Sequence, residues 1–200
     1  LLSEAGMTQL AALRVMFVAY GLTGVAIFFL YRALPDHQAA HEQFKLRPLG
    51  PSRGIVVRLA ALFSLDAFAG GLLVNTLLAL WLFERFGLSL AAAGSFFFWA
   101  GLLTAASQLA APRVAKRIGL LNTMVFTHIP ANVSLILAAL APGLEWALAF
   151  LLLRSLLSQM DVPTRSAFVM AVVTPAERAA AASFTAVPRS LAAAASPALG

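Results

Sequence analysis

The stretch LAALFSLDAFAGGLLVNTLLALWLF, residues 59–83, decides what kind of protein this is. Asp66 is its only charged side chain. The hydrocarbon core of a bilayer is about 30 Å thick, and a helix needs about 20 predominantly apolar residues to cross it. This stretch meets that length. Arg58 precedes it and the turn Glu84-Arg85-Phe86-Gly87 follows, so polar groups stand at both ends. Comparable apolar runs recur on either side, at about 11–31, 88–111, 120–141, 146–173 and 179–200. Hydrophobic residues make up 61% of the chain, charged residues only 11%, and the mean hydropathy is +0.88. A soluble domain needs more charge than that to cover its surface. The sequence therefore predicts an all-α, polytopic transmembrane helical bundle of about six spans.

The segments between the runs give the orientation. A polar connector from Arg32 to Arg58 carries Lys45, Arg47 and Arg53, and a basic loop at 112–119 carries Arg113, Lys116 and Arg117. The last loop, Thr174-Pro175-Ala176-Glu177-Arg178, adds Arg178. These segments fall on one side when the spans alternate. The opposite turns, Glu84–Gly87 and Pro142–Glu145, hold only Arg85. Cytoplasmic loops carry the excess of Lys and Arg. The basic side is thus expected in the cytoplasm, with the chain a multi-pass protein of the plasma (cell inner) membrane. The net charge of +6 then reflects loop anchors rather than a nucleic-acid surface.

Several chemistries are excluded. There is no cysteine, so no disulfide, thiolate metal site or cysteine nucleophile exists. No zinc-protease helix motif, nucleophile elbow or phosphate-cradling glycine loop appears. No enzyme activity, catalytic residue, cofactor or metal is expected. The chain opens at Leu1 without an initiator Met and stops at Gly200 within an apolar run, so a longer polypeptide is expected.

Charges at membrane depth carry the functional information, because each costs at least about 2.5 kcal/mol to insert. Asp66 lies about 12 Å past Arg58 at 1.5 Å per residue, which suits either a proton, cation or substrate site or a structural ion pair. Asn75 falls on the opposite face of the same helix and is expected to join helices. In the fifth run Arg154, Ser158, Asp161 and Arg165 are spaced four, three and four apart, one stripe that should face the protein interior or a watery cavity. Pro163 should kink that helix near its cytoplasmic end. Arg189, near the middle of the last run, needs an acid or an anionic ligand; Asp66 is the expected partner and Asp161 the second choice. His128 is read as a packed polar group.

The order of these features resembles the carboxy-terminal half of a major facilitator superfamily transporter. The residues that carry the resemblance are the basic loop ending Lys116-Arg117-Ile118-Gly119, then Arg154, Ser158 and Pro163, then Pro175-Ala176-Glu177-Arg178, and a small-residue run with Pro and Gly from Ser190 to Gly200. Lys116 stands where the family's loop motif would place an acid. The resemblance implies about six helices of a twelve-helix fold. Residues 1–31 would be the last helix of the amino-terminal half, 32–58 the cytoplasmic connector, and 59–200 an incomplete carboxy-terminal bundle whose missing helices belong to the same polypeptide. It further implies secondary active transport of a small solute by alternating access. Proton-coupled efflux of drug-like or amphipathic compounds fits the apolar lining. Asp66, Arg154, Arg189 and Asn75 are then substrate or proton-coupling candidates. Arg113, Lys116, Arg117, Asp161, Arg165, Glu177 and Arg178 are candidates for a cytoplasmic gate, with Lys116 and Arg117 pairing to Glu177 or Asp161. The alternative is a non-transporting membrane scaffold or sensor on the same helices.

Overall fold

The structure is a computed structural model, and it describes residues 8–33 and 48–199. The ends and most of the polar connector, Lys45 and Arg47 included, lie outside the described residues. All regular structure among the described residues is helical. The described residues divide into two units, 8–33 and 48–199. The first contains α1, Gln9–Ala33, a helix of 25 residues with Arg32 in its last turn. At 1.5 Å per residue it is about 37 Å long, enough to cross a bilayer.

The second unit runs α2 (Arg53–Gly71), α3 (Asn75–Phe86), α4 (Leu90–Ile118), α5 (Leu120–Ala139), α6 (Leu144–Ser158), α7 (Asp161–Val172) and α8 (Arg178–Ala195), with short 3-10 turns at Pro175–Glu177 and Ser196–Leu199. α2 packs along α8, while α5 contacts α6 and α7 and is also touched by α4. Four helical stretches are long and apolar enough to cross a membrane: Leu10–Ala33, Arg53–Phe86, Leu90–Ile118 and Leu120–Ala139. The shorter α6, α7 and the Arg-bearing α8 do not meet that criterion individually.

Three of the predicted elements differ from what forms. The run at 59–83 is not one helix. It breaks at Leu72-Leu73-Val74, where Val74 turns extended with φ −76° and ψ 151° before α3 begins. Gly70 and Gly71 just before the break are poor helix formers. The fifth run also breaks, at Gln159-Met160, a turn ahead of the proline expected to kink it. Pro163 instead sits in the first turn of α7, where its missing N–H costs nothing because those donors have no helical partner. The basic loop is not a loop: α4 continues through Pro112 to Ile118, and Gly119, at φ 89°, makes the turn into α5. Lys116 and Arg117 thus end α4, where positive charge suits the helix dipole.

Several hydroxyls inside the helices are satisfied locally, while those of Ser64 and Ser107 are buried without a partner among the described residues. Thr123, Thr127, Ser134 and Thr185 each donate to a carbonyl one turn back. The side chains pack in two separate apolar clusters. One joins Leu78 and Leu82 of α3 to Phe96 of α4, Ala138 of α5 and Leu151 of α6. The other joins Val56 and Phe63 of α2 to Val169 and Val173 near the end of α7 and Ala181 of α8. Along α2–α3 the order is cluster, Asp66, break, cluster. Along α7–α6, read backwards, it is cluster, Arg165 and Asp161, break, Arg154, cluster. Both interruptions therefore fall in the polar layer between two apolar cores.

Candidate functional site

The polar layer opens into a cavity of about 550 Å³. α2 supplies Asp66, Gly70 and Gly71 to its wall; α5 supplies His128 and Asn132; the α6–α7 junction supplies Arg154, Ser158, Gln159, Asp161 and Arg165; α8 supplies Arg189. The predicted stripe Arg154, Ser158, Asp161, Arg165 is all present, even though two helices rather than one carry it.

An ion network crosses one side of this cavity. One Asp66 oxygen accepts from His128 Nε2 at 2.9 Å, and the other accepts from the Arg165 guanidinium at 2.9 Å. Arg165 also pairs with Asp161, one turn away on α7. The guanidinium stacks 4.9 Å above the ring of Phe63 in a cation–π contact, and its Nε and Nη1 are buried without a hydrogen-bond partner among the described residues. The Arg165 side chain is only 12% exposed and that of Asp161 only 7%, whereas Asp66 and His128 are each 34% exposed. The network thus has a buried, arginine-centred end and a wetter end at Asp66 and His128. It ties α2, α5 and α7 together.

The sequence expectation paired Asp66 with Arg189, and the structure corrects this: Arg165 and His128 hold the carboxylate. Neither Arg189 nor Arg154 forms an ion pair among the described residues, and the Nε of each is buried without a hydrogen-bond partner. His128, a packed polar group by the sequence reading, is a member of this network. The available signal was its spacing: His128 and Asn132 are four apart on an otherwise apolar helix and both reach the cavity. Gln159, at the break, carried no sequence signal.

Asn75 lies elsewhere. It opens α3 and lines a second cavity, also about 550 Å³, with Thr76, Phe97, Thr104 and Ser155. Arg154, Ser158 and Gln159 border both cavities.

Of the proposed gate residues only Asp161 and Arg165 pair with each other among the described residues. Glu177 is 3% exposed and fully engaged. It accepts from the backbone N–H of Gly50, from Ser52 Oγ at 2.6 Å and from Thr174 Oγ1 at 2.8 Å. These donors hold its carboxyl well below the usual value, at about 2. The bonds fasten the start of α2 to the turn before α8. Neither Lys116 nor Arg117 pairs with Glu177 or Asp161 among the described residues; both are exposed, and Lys116 edges a shallow groove beside Pro163 and Thr164. Arg113 donates to Leu109 O at 3.4 Å, and Arg178 to Met170 O at 3.2 Å. Asp161 and Arg165 belong to the cavity network instead.

Among the described residues, no group of three or more His, Cys, Asp or Glu side chains is arranged to hold a metal ion. No family model, curated protein or solved structure matches this chain. The arrangement itself offers a solvent-reachable carboxylate–imidazole pair, two cations without an ion-pair partner among the described residues, and two unwound backbone segments around one cavity.

Proposed function

We propose that this chain is part of a secondary active transporter that moves a small solute across the cytoplasmic membrane by alternating access, with a fold of the major facilitator type. The observation that carries this reading is the cavity between the two apolar cores. It is lined by Asp66, His128, Arg154, Arg165 and Arg189 and bordered by two helix breaks. Charges so placed cost insertion free energy and mark ion or substrate pathways. Broken helices at such a depth are tolerated where they line a cavity, and they leave backbone groups free to meet a ligand.

Coupling to protons is assigned to Asp66. Its carboxylate is the one acid that bonds residues from two other helices, His128 on α5 and Arg165 on α7. Adding a proton to Asp66 removes the charge that both partners face, which loosens α2 from α5 and α7. Arg165 keeps Asp161 in either state. A proton bound there thus shifts the balance between two helix arrangements, as alternating access requires. The basic ends, with Arg113, Lys116, Arg117 and Arg178, are placed on the cytoplasmic side by the positive-inside rule.

The test is transport by the intact polypeptide in proteoliposomes under an imposed proton gradient, against a panel of dyes, sugars and organic acids. Wild type is compared with Asp66→Asn and Arg189→Ala, each first shown to be folded. Gradient-driven movement that Asp66→Asn abolishes is expected. A wild-type protein that moves no solute under any gradient would leave the scaffold reading in its place.

A further inference from the structure

The charges around the cavity do not balance. Arg154, Arg165 and Arg189 line it, against two carboxylates, Asp66 and Asp161. Both carboxylates are engaged by Arg165, and Asp66 additionally by His128. Arg154 and Arg189 are left without an ion-pair partner among the described residues, each with a buried, unbonded Nε. They come from different elements: Arg154 lies one turn before the α6 break, and Arg189 lies within α8. Of the remaining acids among the described residues, Glu177 is bonded to Gly50, Ser52 and Thr174, while Glu84 in the last turn of α3 and Glu145 in the first turn of α6 are exposed.

We infer that the cavity binds a small organic monoanion, its carboxylate held by Arg154 and Arg189. Guanidinium groups suit this task, because their fixed fork matches the two oxygens of a carboxylate. A single negative charge offsets the one-charge excess of arginine over aspartate. Asn132, Ser158 and Gln159 add hydrogen-bonding groups, while Leu73, Leu135 and Ile136 form an apolar wall for the body of the ligand. The volume of about 550 Å³ admits a molecule of that kind. A neutral or cationic ligand would leave two cations at membrane depth uncompensated, which is costly. This inference names the substrate class of the transporter proposed above, and its physiological meaning rests on that proposal; the binding itself does not.

The experiment is equilibrium dialysis of radiolabelled benzoate against the intact protein in detergent, with benzyl alcohol and benzylamine as competitors of similar shape. Benzoate should bind saturably, and neither competitor should displace it. Arg154→Gln and Arg189→Gln should each weaken binding by about tenfold or more. Arg154→Lys and Arg189→Lys, which keep the charge but lose the fork, should weaken it measurably, though less than the glutamine variants. Melting curves without ligand report whether each variant is folded, and the lysine variants carry the test if a glutamine variant is not. Absent benzoate binding, displacement by benzylamine or benzyl alcohol, or binding unchanged in the glutamine variants each overturns the inference. Failure here with gradient-driven transport intact removes the anion and leaves the transporter. Benzoate binding without transport of any solute does the reverse.

Discussion

Replacing Gly71 by alanine tests how α2 is held against α8. A Cβ at position 71 would stand 2.8 Å from Ser196 Cβ and 2.9 Å from the Ala193 carbonyl oxygen. Carbon pairs settle at about 3.5–4.0 Å, so the two helices must separate by roughly 0.7 Å or more. Ala193 O is backbone and cannot swing aside. The separation also stretches the bond from Ser196 Oγ to Phe68 O, which is 2.5 Å long. Overpacking of this kind costs about 1–3 kcal/mol, while replacing glycine in a helix returns up to about 1 kcal/mol. The net loss should be about 1–2 kcal/mol. Gly70 is the internal control, since a Cβ there meets nothing within 4 Å. Gly70→Ala should be neutral or stabilising by up to about 1 kcal/mol. The assay is reversible unfolding in mixed micelles by SDS titration, followed by far-UV circular dichroism. The double variant Gly71→Ala/Ser196→Gly removes the Cβ contact but keeps the Ala193 O contact, so it should recover only part of the loss. A Gly71→Ala protein as stable as Gly70→Ala would refute the close α2–α8 approach.

Three further outcomes are expected. Leu82, 0% exposed, and Leu80, 49% exposed, lie two residues apart on α3; Leu82→Ala should cost about 2–5 kcal/mol and Leu80→Ala no more than about 1 kcal/mol in the same titration, and equal losses would contradict the helix's placement. A double-mutant cycle of Asp66→Asn with His128→Gln should show a coupling of about 0.5–3 kcal/mol; strictly additive losses would remove the pair from the network. Glu177 sets an acid limit. Its carboxyl is lowered from 4.5 to about 2 in the fold, so the stabilisation it confers is complete above about pH 4.5 and is lost as the pH falls towards 2. The melting temperature should drop across that window in wild type and drop less in Glu177→Gln, and superimposable profiles would refute the clamp.

The Glu177 clamp shows where sequence reading stops. Pro175-Ala176-Glu177-Arg178 is legible as a turn, but its acid was expected to meet Lys116 or Arg117. Thr174, one of the donors it meets, is three residues away, but the other two, Gly50 and Ser52, lie far away in the chain and have no sequence signature. The same holds for Asp66. Arg154, Arg165 and Arg189 are all cations on the later helices, and the fold brings Arg165 of α7 to Asp66. The breaks lie between these cases. Gly70-Gly71 and Pro163 mark weak points in a helix, yet which residues unwind depends on the neighbours that the two halves must reach.

What the sequence by itself determined is the class of the molecule: all-helical and apolar enough to cross a membrane, with polar residues between the runs, although it reads about six spans where four helical stretches are long and apolar enough to cross. Length and hydropathy settle that, because a backbone in hydrocarbon must satisfy its own hydrogen bonds within each segment. The tertiary structure alone decided which charges meet, where two helices break, and which cavity arginines have no ion-pair partner among the described residues. Those outcomes depend on distances between helices far apart in the chain, and spacing along one helix carries no measure of them.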